Sequence, residues 1–151
     1  MEPLKVIIVD DDSDDQELFF HGLEAGHRFK VTGCASGYKQ LTYLLEMQAD
    51  DLPDVILLDV NVPGKNGIEI CNELTKDIKY KKIAFVLMSE IPPLPAIERS
   101  IQTNVTAFFV KPCTMEEFRV FAIKLHELVL SNKRLKTPGK LLEIVTLLAA
   151  V

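Results

Sequence analysis

Apolar residues in this chain follow two alternating rhythms: short unbroken runs that end on charged or hydroxyl side chains, and longer segments in which they recur every three or four positions. The clearest run is Asp54-Val55-Ile56-Leu57-Leu58-Asp59, which breaks at once into Val60-Asn61-Val62-Pro63-Gly64-Lys65-Asn66-Gly67. A continuous Val/Ile/Leu segment bounded by turn residues reads as a parallel strand buried on both faces. Such a strand carries Asp59 to the carboxyl edge of a sheet, where open α/β folds bind their ligands. Taken by itself, Asp59 also reads as a turn cap.

The same alternation runs through the rest of the chain. Lys5 to Val9 reads as a strand ending on Asp10-Asp11-Asp12. Ser13 with Gln16 has the spacing of a capping box opening a helix whose inward stripe is Leu18, Phe19, Gly22 and Leu23, with Gly26 as its stop. Phe29 to Cys34 alternates loosely and suits a strand nearer the sheet edge. A helix over about Ser36 to Ala49 turns Leu41, Leu44, Leu45 and Met47 inward, and another over Asn66 to about Ile78 turns in Ile68, Ile70, Cys71 and Leu74. Lys82 to Met88 is the fourth strand, ending on Ser89. The prolines at 92, 93 and 95 predict a loop over Glu90 to Pro95 and a shortened helix from about Pro95 to Gln102. Thr106 to Val110 is the fifth strand, followed by Lys111-Pro112. A capping box at Thr114 and Glu117 starts a last helix, with Phe118, Phe121, Leu125, Leu128 and Val129 inward, that runs to about Asn132.

Five successive β-α units require parallel strands with right-handed crossovers, hence an α/β sandwich with helices on both faces of the sheet. Beyond Asn132 the chain is basic and then broken by Pro138-Gly139, before Lys140 to Val151 returns as an apolar tail. Domain 1–131 is therefore expected to carry an extension, 132–151, forming a short helix that docks on the domain or on a partner subunit.

At 151 residues the chain suffices for one self-supporting core. A net charge of −5 and the lack of a Lys/Arg-rich face argue against direct DNA binding. Cys34, Cys71 and Cys113 are widely spaced and outside any metal-binding pattern, which fits reduced thiols in a cytoplasmic protein. No apolar stretch reaches the roughly 20 residues of a membrane span, and no signal core follows the N-terminus.

Aligned at their carboxyl ends, the strands bring together Asp10, Asp11, Asp59, Ser89 and Lys111. Clustered carboxylates repel, and a divalent cation resolves the conflict. Oxygen ligands without histidine or cysteine favour Mg²⁺, which keeps positions open for phosphate oxygens. Asp59 can then act as a nucleophile toward phosphorus. Singly, each residue has a plainer reading: Asp10 to Asp12 as helix-dipole charges, Ser89 as a turn residue, Lys111 as a solvent-facing cation. Their coincidence at successive strand ends is what points to a site.

The stretches Ile8-Val9-Asp10-Asp11-Asp12, Leu57 to Gly67, Leu87-Met88-Ser89 and Phe109-Val110-Lys111-Pro112 resemble the response-regulator receiver domain of two-component signalling, and the likeness covers about residues 4 to 131. The resemblance implies a flavodoxin-like, doubly wound parallel five-stranded sheet of order 2-1-3-4-5. It implies Asp59 as phosphoacceptor, Mg²⁺ held by Asp10, Asp11, Asp59 and the backbone carbonyl of Asn61, and Ser89 and Lys111 on the phosphoryl group. It further implies a cis peptide between Lys111 and Pro112, and a switch made by Ser89 and Phe108. Glu90 departs from the family pattern, which usually has a small residue there, and the Pro-rich stretch after it departs from the usual start of the fourth helix. A narrower likeness is to phytochrome-associated single-domain regulators.

The expected function is a stand-alone response regulator in a phosphorelay. It would take a phosphoryl group from a sensor histidine kinase or phosphotransfer protein and present a changed surface to a downstream protein target, with a homodimer possible and neither DNA nor membrane as a partner. Two other readings stay open: a degenerate receiver acting as a phosphorylation-independent scaffold, and an aspartyl-phosphate phosphotransferase or phosphatase. Asn61, two residues after the nucleophile, weighs against the last because it lacks a general acid's proton.

Overall fold

The structure, a computed structural model, describes residues 2–91, 105–135 and 143–145. The Val/Ile/Leu runs form parallel strands β1 (Leu4–Val9), β2 (Phe29–Ala35), β3 (Val55–Asp59), β4 (Ala84–Ser89) and β5 (Ala107–Val110). Between them lie helices α1 (Ser13–Glu24), α2 (Tyr38–Met47) and α3 (Gly67–Leu74), and α4 (Met115–Leu135) follows β5. Within the sheet the order is β2-β1-β3-β4-β5, as expected. The strand order reverses between β1 and β3, and the carboxyl ends of these two strands flank the crevice where doubly wound folds bind ligands.

Strand alternation splits the core in two. Val6, Ile8, Leu57, Val86 and Phe109 face α1 and α4, where they meet Phe19, Leu23, Phe121 and Leu125. Ile7, Val9, Ile56, Leu58, Leu87 and Phe108 face α2 and α3, against Leu41, Leu45, Ile70 and Leu74. All five residues of β3 are buried, so the segment that ends on Asp59 is fixed from both sides, each large apolar side chain contributing roughly 1.5–3 kcal/mol. Edge-to-face ring contacts tie α4 to the sheet, Phe109 with Phe121 at 5.0 Å between centroids, and α1 to α4, Phe19 with Phe118 at 5.2 Å.

Several sequence expectations are corrected. The first helix is capped by Asp12, whose side chain accepts from the backbone N–H of Asp14 and Asp15, rather than by Ser13 with Gln16. Gln16 instead donates to the Asp10 and Ala35 carbonyls, joining α1 to the ends of β1 and β2. The second helix is shorter at both ends than Ser36–Ala49, and α3 stops at Leu74, where Thr75 Oγ1 turns back on the Cys71 carbonyl and Asp77 caps a separate 3₁₀ turn at Ile78–Tyr80. Leu18, Met47 and Ile78 face solvent. The box of Thr114 and Glu117 forms as expected, with Glu117 N–H donating to Thr114 Oγ1 at 3.1 Å.

Glu143–Val145 is a strand where the extension was expected to be helical. This β6 lies parallel to β5, pairing Ala107 with Glu143 and Phe109 with Val145, so this part of the extension docks within its own chain. β-Branched Ile144 and Val145 suit a sheet, and the free edge of β5 offers them backbone partners. The first residues of the extension, 132–135, continue α4, while 136–142 and 146–151, the stretch 92–95 of the Pro-rich loop and the short helix expected near Pro95 to Gln102 lie outside the described residues. No helix among the described residues is long and apolar enough to cross a membrane.

Candidate functional site at the carboxyl edge

Backbone hydrogen bonds between neighbouring strand ends set the site. Asp10 N–H donates to the Ala35 carbonyl at 2.9 Å, Val60 N–H to Met88 at 2.9 Å and Lys111 N–H to Ser89 at 2.7 Å. The strands therefore terminate level with one another. After β3 the chain turns sharply: Gly64 takes φ of 84°, a conformation that favours glycine, and Asn66 caps α3 by accepting from Glu69 N–H. Gly67 then passes so close to β3 that a Cβ there would lie 2.7 Å from the Asp59 carbonyl oxygen.

Asp10 and Asp59 are held in the same way. One oxygen of each carboxylate accepts a backbone N–H two residues on, Asp12 N–H to Asp10 Oδ1 at 3.0 Å and Asn61 N–H to Asp59 Oδ1 at 2.9 Å. The other oxygen of each takes a proton of Lys111: Nζ lies 2.8 Å from Asp10 Oδ2 and 2.8 Å from Asp59 Oδ2. Lys111, Asp10 and Asp59 are all buried. The third donor of the ammonium goes to Asp15 Oδ2 at 3.0 Å. The sequence reading missed Asp15. The signal was available in Asp12, because a cap there puts Asp15 third in the helix, where a side chain reaches back over the preceding loop.

The charges respond to this crowding. Burial pushes the Asp10 carboxyl up from its ordinary value, outweighing the Lys111 and Asp12 hydrogen bonds that favour its ionised form. Burial pulls Lys111 down, but its hydrogen bonds to Asp10, Asp59 and Asp15 outweigh that, and the ammonium is held above its usual range. One cation thus faces three carboxylates.

Asp11 is exposed beside them, and Asp10, Asp11 and Asp59 each offer a carboxylate oxygen within 4.8 Å of the others. This surplus of negative charge, with purely oxygen donors, fits a hard divalent cation such as Mg²⁺. Asn61 is exposed on the turn after Asp59. Ser89 is buried at the end of β4, its Oγ accepting from Ile91 N–H at 3.4 Å. Phe108 is 1% exposed and paired in register with Leu87. Glu90 is exposed next to Ser89. The Lys111–Pro112 peptide is trans, not cis, as no cis bond occurs among the described residues. Trans is the lower-energy form by about 0.5–1 kcal/mol for a bond to proline, and from it Lys111 reaches its three carboxylates.

Comparison with known proteins places the chain by family and fold. The family model described as the response regulator receiver domain matches residues 6–122. The two-component response regulator ORR11 of Oryza sativa subsp. indica is 31% identical over 110 residues, which cover 73% of this chain and 72% of ORR11. The transcriptional regulatory protein MalR of Bacillus subtilis is 28% identical over 116 residues, 77% of this chain but 47% of MalR, so the chain spans about half the length of that relative. Among solved structures, the phosphorylated cyanobacterial phytochrome response regulator RcpA superposes with a TM-score of 0.69 at 25% identity, covering 85% of this chain and 95% of that one.

Proposed function

Because this chain belongs to the response regulator receiver domains, we propose that it is a phosphorylation-operated switch of two-component signalling, with Asp59 as the residue that takes the phosphoryl group. The observation that carries the reading is the Lys111 ammonium joined to both Asp10 and Asp59 at 2.8 Å, at the ends of three strands. An Asp59 oxygen attacks the phosphorus of a phosphohistidine, forming a phosphorus–oxygen bond. The phosphorus–nitrogen bond breaks and its electron pair stays with the donor imidazole.

Lys111 and the Ser89 hydroxyl donate to the transferred oxygens, which fixes their geometry. Asp10, Asp11, Asp59 and the Asn61 carbonyl would hold Mg²⁺, which when bound neutralises phosphoryl oxygens. Engagement of Ser89 pulls on β4, and the register pairs Leu87 with Phe108 and Ser89 with Val110 pass that pull to the aromatic ring. A local charge thereby biases a packed element.

The phosphodonor is a sensor histidine kinase or phosphotransfer protein, and the output is a protein contact, in a cytoplasmic setting. Incubation with acetyl phosphate and Mg²⁺ followed by intact-mass measurement tests the reading. One added phosphoryl group on the native chain and none on Asp59→Asn is the expected result. Absence of labelling by acetyl phosphate and by phosphorylated kinases overturns it in favour of a scaffold, and continuous turnover of phosphate esters overturns it in favour of an enzyme.

A further inference from the structure

Lys111 has three ammonium protons, and three carboxylates use all of them. Asp10 and Asp59 belong to the oxygen cluster suited to a cation, whereas Asp15 does not. Asp15 stands on a different element, the first turn of α1, with its side chain 27% exposed. Its carboxylate is therefore the one partner of Lys111 that a cation among Asp10, Asp11 and Asp59 leaves uncommitted.

We propose that Asp15 is a positioning residue that draws the Lys111 ammonium aside from Asp10 and Asp59, favouring entry of the divalent cation but competing with the phosphoryl group for the same ammonium. This deepens the proposed function and rests on it. Two opposite effects follow from one contact. Without the Asp15 charge, Lys111 stays with Asp10 and Asp59 and opposes the cation, and one negative charge near the cation is also lost. Once the cation is bound, the freed ammonium proton is available to the incoming phosphoryl oxygens.

The experiment measures Asp15→Asn in two ways on the full chain. Calorimetric titration with Mg²⁺ and no phosphodonor gives the cation affinity. Intact-mass time courses with acetyl phosphate at saturating Mg²⁺ give the rate of phosphoryl uptake. Weaker Mg²⁺ binding together with faster uptake, each by up to about fivefold as suits a partly exposed ion pair, is the expected pairing. Asp15→Glu, which restores the charge, returns both values toward the native ones. A solely structural role for Asp15 predicts that both values move in the same direction or not at all, and either result overturns the proposal. Asp15→Ser serves if the first variant does not fold, and folding is checked by circular dichroism. Failure of the native chain to take up phosphate, with Mg²⁺ binding still weakened by Asp15→Asn, separates loss of the phosphoacceptor reading from loss of the Asp15 contact.

Discussion

Gly67 and Asp59 are in backbone contact: a single carbon added at Gly67 would lie 2.7 Å from the Asp59 carbonyl oxygen and 3.2 Å from Val60 Cα. Helix α3 and the end of β3 are therefore positioned by the absence of a side chain. Because the obstacle is backbone, relief requires moving either the helix or the strand end that carries Asp59.

Gly67→Ala is accordingly expected to destabilise the fold by about 1–3 kcal/mol through overpacking. Phosphoryl uptake by Asp59 should fall as well, since the displaced segment is the one that holds the carboxylate. Urea unfolding and acetyl phosphate labelling of the same preparation check both effects.

Neutralising Asp10 should stabilise the protein while removing a cation ligand. Its carboxyl is raised by burial, so the folded state binds that proton more readily than the unfolded chain. Its contribution to stability is then most favourable below the ordinary carboxylate range and declines as pH rises through the raised folded value. Asp10→Asn should match the native protein at low pH and exceed it near neutrality. Added Mg²⁺ should stabilise the native chain and leave the variant nearly unchanged, as thermal melts across pH would record.

Glu90 places an exposed carboxylate beside Ser89, at the carboxyl edge of the sheet. Glu90→Gln should speed labelling by acetyl phosphate by about two- to fivefold at low salt, with the gain shrinking as ionic strength rises. An unchanged rate at low salt would exclude Glu90 as an electrostatic brake.

Phe121 is wholly buried and meets Phe109 and Phe19 edge-to-face. Phe121→Ala should cost about 3–5 kcal/mol, seen as a large drop in urea midpoint. Phosphoryl uptake under fully folding conditions should change little, because the ring lies on the α1–α4 face, away from the acid cluster.

Much of the fold was legible because buried parallel strands are written as unbroken apolar runs, and each such run ended on a residue of the candidate site. Asp10, Asp59, Ser89 and Lys111 were found in this way, and all four are buried at the strand ends. Less legible were features decided by contacts between segments. The run Asp10 to Asp15 holds six residues of which all but Ser13 are acids, so which of them caps the helix depends on where the chain leaves β1. Choosing Ser13 over Asp12 hid the approach of Asp15 to Lys111. Apolar Leu18 and Met47 were assigned inward by spacing, yet the sheet is covered without them. The strand at Glu143–Val145 could not be told from a helix, because a three-residue segment carries no period and its pairing is supplied by β5.

Lys111 is tethered at its tip to β1, β3 and α1, while only Pro112 and Cys113 separate its backbone from the capping box of α4. Cys113 N–H donates to Glu117 in that box at 2.6 Å. A change of partners by the ammonium would thus be felt two residues before α4, and solvent exchange at the Cys113 amide is the expected gauge of events at Asp59 read from outside the pocket.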